Sequence, residues 1–575
     1  MDVNQWLVAG IFILTIGALV LSNRRPAFIF AMSSLALIAS GQLSLGQLTH
    51  GLSNKGLITL VLLLLISQAI DKTALIKSIG HKLINKSYAQ SFWRLFAVTF
   101  TSSALLNNTA IVASLTGPVK QNQRHLPSRL LIPLSYAAIL GGTVTLVGTS
   151  TNLIVDSFLI ENGHPGFEFW DFTLFGLTAG LLCGGLMYVL SPMLPKLEQP
   201  KDDYKQYLIE AEVDADSPLV GQSIEDNHLR NLPELFLVEV VREGHLISPV
   251  HPDLVLEAHD KLIFTGNVKR MDTLSHIPGL SIFAQTNGLL KENLTEVVIS
   301  NRSWLINKTL KQANFRAVFD AAVVAIRREG EAVSGKLGEI PLQAGDNLLL
   351  ATGADFQGRD NLTRNFFFVS EHQIQQKLSK NKDRLTVGGF LAAIALGAIG
   401  LIPLTTGLLV LLALLTLVGV LSGNEIRRQL PVNLIMVIVG ALGLATALEQ
   451  SGLLSQVTSL LMPLVNGGSP FLALVMVYLV TLLLTEMVTN NAAAALMFPF
   501  AWNLIQTMDY PVMPFALAIA FAASASFISP YGYQTNLLVF SAGRYRYLDF
   551  VKYGLPISAL YSTVLLGLLK YWFEL

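Results

Sequence analysis

Four short polar strings interrupt long apolar runs in this chain, and their residue types suit ion binding. The first is Ser103-Ala104-Leu105-Leu106-Asn107-Asn108-Thr109-Ala110 and the second is Gly148-Thr149-Ser150-Thr151-Asn152. The third is Thr485-Glu486-Met487-Val488-Thr489-Asn490-Asn491-Ala492, and the fourth is Ser529-Pro530-Tyr531-Gly532-Tyr533-Gln534-Thr535-Asn536. The strings form two matched pairs: Asn152 lies 44 residues after Asn108, and Asn536 lies 45 after Asn491. In hydrocarbon, an unsatisfied polar group costs several kcal/mol, so such clusters belong where they line a cavity or hold an ion. Gly, Pro and small hydroxylated residues favour an unwound backbone. Unwinding exposes carbonyl oxygens that suit Na⁺, and helix N-termini whose free N–H groups and dipole suit an anion. Asn and Thr side chains supply donors and acceptors. None of the four strings contains Lys or Arg, so an anion here must be held by neutral donors and co-bound cations. The competing reading, Asn and Thr as glue between helices, is weakened by the recurrence of both strings.

Glu486 is the one carboxylate in the middle of these motifs. An acid at that depth is functional by default. It could bind a cation, carry a proton, or cap hairpin helices through hydrogen bonds.

The elements that must position these strings are membrane spans. The chain has 575 residues, 52% hydrophobic and only 14% charged, against roughly 25% charged in soluble proteins. The average conceals a split. Residues 196–386 hold 22 Lys+Arg and 27 Asp+Glu, about 26% charged, whereas the rest is about 8% charged. The net charges are −5 and +5 and sum to zero, which predicts facing surfaces of opposite sign between insert and membrane part. Apolar runs near 5–22, 27–40, 57–70, 130–147 and 172–194 precede the insert; those near 387–402, 405–421, 432–449, 513–528 and 553–573 follow it. Segments 92–118 and 470–500 are apolar but broken in the middle and read as re-entrant hairpins. The first run continues into Asn23-Arg24-Arg25 with no cleavage motif, so no cleavable signal is expected.

Basic residues set the orientation. Arg24, Arg25, Lys72, Lys77, Lys82, Lys86, Arg94, Lys120, Arg124, Arg129, Arg427, Arg428, Arg544, Arg546 and Lys552 fall on one side, predicted cytoplasmic. Loops 153–171, 450–469 and 501–512 lack Lys and Arg and face outside; Lys55 and Lys570 are the exceptions. This places both termini outside and residues 196–386 in the cytoplasm of a multi-pass protein in the plasma (inner) membrane. Each half then runs three spans, a hairpin and two spans, with opposite starting sides. That is the inverted repeat of secondary transporters.

At these motifs the chain resembles the divalent anion:sodium symporter family (sodium/sulfate–dicarboxylate type, ion transporter superfamily), in its branch with a cytoplasmic insert. The resemblance covers essentially the whole chain. It implies a homodimer with a scaffold and a transport domain moving as an elevator, one Na⁺ site per hairpin, and the anion between the hairpin tips. By motif, Ser103, Asn107, Asn108 and Gly148 would line the first Na⁺ site, and Thr485, Thr489, Asn490 and Ser529 the second. Asn108, Thr109, Thr149, Asn490 and Asn491 would face the anion. Asn152, Glu486, Thr535 and Asn536 would stand behind them or play roles left open. The family's common tip is Ser-Asn-Thr, whereas the second tip here reads Thr489-Asn490-Asn491. It lacks the threonine expected to bind a carboxylate, which favours sulfate-like oxyanions over dicarboxylates. H⁺ coupling and arsenite-type transport are the other readings within this superfamily.

Within the insert, residues 206–275 and 294–356 look like one unit repeated. Leu256-Glu257-Ala258-His259-Asp260-Lys261-Leu262 matches Leu342-Gln343-Ala344-Gly345-Asp346-Asn347-Leu348, and Thr265-Gly266 matches Thr352-Gly353. β-Branched runs ending at Gly244 and Gly330 read as strands and turns. The pattern resembles the C-terminal (TrkA-C, or RCK-C) domain of regulators of potassium conductance, an α+β fold that implies dimerising modules able to bind a small regulatory ligand. No G-x-G-x-x-G loop precedes the repeats, so the nucleotide-binding half is absent. Arg327-Arg328 reads as a solvated strand end or, less readily, as an anion site. His245, His251 and His259 fall in expected surface turns, and Cys183 in an apolar span.

The fold class is therefore a polytopic α-helical membrane protein. It comprises a first repeat (1–195), two small α+β domains (206–286 and 290–376) and a second repeat (385–575). Zero net charge argues against nucleic-acid binding. One cysteine excludes a disulfide framework, and the ten histidines show no metal spacing. No nucleophile–base constellation supports an enzyme, and no organic cofactor is expected. A gated potassium channel would need a filter of the Thr-Val-Gly-Tyr-Gly type, and Tyr531-Gly532-Tyr533 is not one. The partners expected are Na⁺, a small inorganic or dicarboxylate anion, the lipid bilayer and a second copy of the chain.

Overall fold

A computed structural model describes residues 2–197 apart from 23, 74–82 and 123, and residues 378–575 apart from 457–468. Between these it describes 208–368 apart from 230–231, 233–234, 244, 248–249, 267–276, 284–293, 301–302, 329–330, 334–336, 354, 357–358 and 360–361. Lys77, Lys82, Gly244, Gly330 and the expected domain limits at 206, 286, 290 and 376 lie outside the described residues, as does most of the loop 450–469.

The first half folds as α1 (Val3–Leu21), α2 (Pro26–Ala39), α3 (Leu45–His50), α4 (Lys55–Asp71), α5 (Tyr88–Ser103), α6 (Asn108–Gln121), α7 (Leu131–Gly142), α8 (Ser150–Glu161) and α9 (Thr173–Val189). The second half has α10 (Lys380–Ala398), α11 (Leu404–Leu417), α12 (Gly423–Gln429), α13 (Val432–Gln450), α14 (Pro470–Met487), α15 (Asn490–Met508), α16 (Val512–Ser524), α17 (Gln534–Ala542) and α18 (Tyr547–Trp572). The order of long and short helices is the same in both. The short helices α3 and α12 escaped the sequence reading, because neither is an apolar run. Each is started by a serine capping box, Ser44 with Gln47 and Ser422 with Glu425.

Among the described residues, α1, α13, α14 and α18 are long and apolar enough to cross a membrane, and Leu45–Ser53 with Lys55–Asp71 is so only when taken together, across a bend of 52°. Leu21 of α1 and Leu483 of α14 stay exposed, as do Leu409, Val410 and Leu417 of the shorter apolar helix α11, and Trp6 and Trp572 are exposed near helix ends. In water such a surface would be costly; facing lipid it is the stable arrangement, with the indoles at the interface. The protein is a multi-pass membrane protein.

Both segments expected as re-entrant hairpins fold as two helices joined by a short turn. The first turns between α5 and α6 and the second turns over Val488 and Thr489, between α14 and α15. The expected span 130–147 holds α7 and then enters a break over residues 143–149; α8 follows where a loop over 153–171 was expected, and α16 and α17 are likewise separated by 525–533. α2 packs on α13 and α4 on α11, while α5 packs on α7 and α14 on α16. α6 meets α17, and α8 meets α15.

The insert contains two five-stranded antiparallel sheets. The first is formed by β1 (Leu208–Val213), β2 (Leu235–Arg242), β3 (His245–Ile247), β4 (Lys261–Gly266) and β5 (Leu280–Phe283), in the order β3-β2-β4-β1-β5. The second is formed by β6 (Leu294–Ile299), β7 (Ala321–Arg328), β8 (Glu331–Ala332), β9 (Asn347–Thr352) and β10 (Phe366–Phe368), in the matching order β10-β6-β9-β7-β8. Leu208, Leu235, Lys261 and Leu280 open strands whose counterparts open at Leu294, Ala321, Asn347 and Phe366, a constant offset of 86 residues. The register slips at the same place in both, between Leu237 and Glu239 and between Val323 and Ala325. The fifth strands, β5 and β10, lie beyond the repeat limits 275 and 356 drawn from sequence.

The Leu-x-x-x-Asp signature is a strut. Asp260 accepts from Arg242 Nε at 2.8 Å and Nη2 at 2.7 Å, and Asp346 accepts from Arg328 Nε and Nη2, both at 2.8 Å. Both carboxylates are buried, so each sheet is pinned by a bidentate pair that fixes strand to turn. Arg328 is therefore not a solvated strand end. His251 and His259 are exposed, His259 beside Glu212; His245 has no described side chain. Cys183 is buried in α9.

Candidate functional site

The four polar strings converge. A cavity of about 100 Å³ is lined by Asn107, Asn108, Thr109, Gly148, Thr149, Ser150, Asn490, Asn491, Tyr533 and Gln534. The volume is several times what a water molecule needs and suits a small oxyanion. Leu60, Leu63, Leu64 and Ser67 of α4, Phe390 of α10 and Leu434 of α13 close it with a mostly apolar wall. None of the lining residues is charged.

The reason for convergence is geometric. Asn108 opens α6, Ser150 opens α8, Asn490 opens α15 and Gln534 opens α17. Four helices, each nine residues or longer, thus start at one cavity. Each start brings the positive end of a helix dipole and its first backbone N–H groups, some of them capped, to the cavity, which favours an anion without a basic residue.

The polar side chains are held in a network across both halves. Asn108 Nδ2 donates to Tyr533 Oη at 2.9 Å, and that hydroxyl meets Thr149 Oγ1 at 3.2 Å. Thr109 Oγ1 donates to Gln534 Oε1 at 3.3 Å, and Ser150 Oγ donates to Asn491 Oδ1 at 2.8 Å. The sequence reading missed Ser150, Tyr533 and Gln534 as lining residues, although all three stand in the quoted motifs.

Behind this layer two bonds of the first half recur in the second. Ser103 Oγ donates to Ala138 O at 2.8 Å, and Thr485 Oγ1 donates to Ala523 O at 2.6 Å. Ser103 Oγ also donates to Asn108 Oδ1 at 2.6 Å. Asn152 Nδ2 donates to Thr145 O at 2.9 Å, and Asn536 Nδ2 donates to Ser529 O at 3.3 Å and Ser526 O at 2.8 Å. Asn152 and Asn536 therefore brace the unwound segments from behind. Thr535 and Asn536 also accept from Ser135 Oγ, at 2.8 and 2.7 Å.

Two glycines make the breaks possible. A Cβ on Gly148 would lie 2.4 Å from Gly142 O, and one on Gly532 would lie 2.2 Å from Ser526 Oγ. Only glycine lets these carbonyl and hydroxyl oxygens approach so closely. Gly532 was not singled out from sequence; its position in the second break matches that of Gly148 in the first.

Ser103, Thr485, Thr489, Ser529, Asn152, Thr535 and Asn536 do not line the cavity. Asn107 and Thr489 occupy N-cap positions: Asn107 Oδ1 accepts from Thr109 N at 2.9 Å and Ala110 N at 3.4 Å, and Thr489 Oγ1 accepts from Ala492 N at 3.4 Å. Asn107 Oδ1 and Thr489 Oγ1 are thus engaged in starting α6 and α15, while Asn107 also lines the cavity. Glu486 accepts from Ile528 N at 3.0 Å, Ser529 N at 2.8 Å and Ser526 Oγ at 3.3 Å. It holds the second break by its exposed amides, which is the geometry of a cap.

Comparison with known proteins agrees with this picture. The family model described as "Citrate transporter" matches residues 12–522. A relative from Chlamydomonas reinhardtii named "Putative sulfur deprivation response regulator" is 29% identical over 95% of this chain and 98% of its own length. An uncharacterized transporter from Synechocystis sp. is 31% identical over 91% of this chain and 90% of its own. "Probable sodium/sulfate cotransporter 3" of C. reinhardtii is 27% identical over 66% of this chain, which spans 46% of that protein. The chain thus belongs to the citrate transporter family of membrane transporters.

Proposed function

We propose that the protein is a secondary transporter that couples Na⁺ to symport of a small divalent anion, with sulfate-like oxyanions preferred. The observation that carries this is the meeting of four helix N-termini at one charge-free cavity. Such a site binds an anion weakly unless cations join it. The close-packed oxygens at Gly148 and Gly532 are suited to those cations. The sulfate preference draws support from relatives named sodium/sulfate cotransporters and from Asn491 standing at the second tip in place of a threonine. A carboxylate substrate is favoured instead by the family's description as citrate transporters.

The matched helix orders and paired hydrogen bonds support two inverted repeats. In this reading α5–α8 and α14–α17 form a transport unit, and α1–α4 and α10–α13 form a scaffold that supplies the cavity's apolar wall. The unit moves as an elevator within a homodimer in the plasma (inner) membrane, with the insert cytoplasmic and both termini outside. The two sheets, with their shared order, register slip and Arg–Asp strut, support a pair of regulatory domains of the TrkA-C type that respond to a small ligand.

Asn108→Ala and Asn490→Ala test the site. Each should abolish Na⁺-dependent anion uptake into proteoliposomes without unfolding the protein. Uptake retained by both variants would sink the assignment.

A further inference from the structure

The second sheet is seated on the membrane part. Lys120, in the last turn of α6, lies 2.7 Å from Glu296 of β6, and both side chains are about 15% exposed. The other oxygen of Glu296 accepts from Asn347 Nδ2 at 2.7 Å. Burial pushes the Glu296 carboxyl up, but the charge of Lys120 and the hydrogen bonds from Lys120 and Asn347 outweigh it and hold the group below the usual range. Around this pair the contact is apolar. Val298 is buried in the same core as the membrane helices, and Phe367 packs against that core. Gly345, at φ +86°, faces α17 so closely that a Cβ would lie 2.7 Å from Leu537 Cδ1.

The first sheet shows what this face is like without a seat. At the constant offset of 86 residues, Val298 corresponds to Glu212, Phe367 to Ser281, and Gly345 to His259. His259 adopts the same left-handed conformation, φ 66°, with its side chain 70% exposed. Ser281 Oγ donates to Asp214 Oδ1 at an exposed position. One fold is thus used twice: polar on this face in the first copy, apolar and glycine-relieved in the second. The glycine is required by Leu537, since the turn itself tolerates His.

The two seats have a bearing on transport. Lys120 ends the helix that Asn108 and Thr109 begin, and Leu537 follows Gln534 by one turn. Both ends of the contact therefore belong to helices that line the cavity. Resting on the reading of α5–α8 and α14–α17 as the moving unit, we infer that the second inserted domain is a fixed part of that unit. It travels with α6 and α17, and the first domain alone presents this face to solvent.

The test uses the full chain with Cys183→Ser and introduced cysteine pairs. Lys120→Cys with Glu296→Cys should be joined by a short bifunctional methanethiosulfonate, and the joined protein should carry Na⁺-driven sulfate flux within threefold of the unjoined one. Failure to join, or a fall of more than tenfold that a reductant reverses, would overturn the inference. Separately, Val298→Cys should react with a membrane-impermeant maleimide at least tenfold more slowly than Glu212→Cys; equal rates would also overturn it. If the unjoined parent shows no Na⁺-driven flux, the transport reading fails. The joining yield and labelling ratio then still decide whether the domain is docked.

Discussion

Replacing Glu486 with Gln separates the three roles an acid at this depth could play. The carboxylate accepts from two backbone N–H groups and one hydroxyl. A hydrogen bond to a charged acceptor contributes about 1.5–3 kcal/mol net, against about 1 kcal/mol for a neutral one. Gln has nearly the same shape but one acceptor oxygen. Turned toward Ser529 N and Ser526 Oγ, it keeps those bonds in neutral form and sets its NH₂ against the Ile528 N–H, donor to donor. The loss totals about 3 kcal/mol, roughly half of it from the stranded Ile528 amide. The second break should loosen, and detergent-solubilised Glu486→Gln should melt a few degrees below the parent. Flux should fall, while its dependence on pH stays that of the parent. A variant that melts like the parent but loses its pH dependence would make Glu486 a proton carrier. One that melts like the parent but needs much more Na⁺ would make it a cation ligand. Either result would refute the cap.

Tyr533→Phe removes the hydroxyl that meets Asn108 and Thr149 without opening a cavity. A lost bond of about 1–1.4 kcal/mol corresponds to a five- to tenfold rise in the anion's KM, read from the concentration dependence of counterflow; a change below twofold would contradict the positioning role. Asp346→Asn should weaken the strut with Arg328. Breaking a buried pair costs about 3–5 kcal/mol, which we reduce to about 2–3 kcal/mol because Arg328 is 29% exposed and Asn keeps an acceptor. Limited proteolysis within 294–368 should accelerate on the order of 30-fold, and unchanged cleavage would show that the strut is dispensable.

The polar strings were legible because Asn-Asn-Thr has no stable place in an apolar run except at a cavity or an ion. The distinction between cavity-facing and capping roles was not legible. Asn107 and Asn108 are neighbours of one type, yet the Oδ1 of Asn107 starts α6 while Asn108 reaches across to Tyr533. The apolar wall was silent for the opposite reason: Leu60, Leu63 and Phe390 look like any lipid-facing residue until the helices are packed. The domain repeat was visible in Leu-x-x-x-Asp and its strands, but β10 is only three residues long, too short to show a strand pattern. Arg328 read as a free strand end because its partner, Asp346, is 18 residues away. The opposed net charges pointed to facing charged surfaces, whereas the contact described between insert and membrane part is mainly apolar. In the structure that contact includes the buried pair of Lys120 and Glu296 within an apolar seat.

The central claim is Na⁺-coupled transport of a small divalent anion. Proteoliposomes preloaded with sulfate, succinate, citrate or phosphate, then given the same labelled anion outside, test it directly. The account predicts sulfate counterflow in Na⁺ that disappears when choline replaces Na⁺. Equal sulfate exchange in choline would contradict the coupling, and exchange of succinate or citrate without sulfate would contradict the preference.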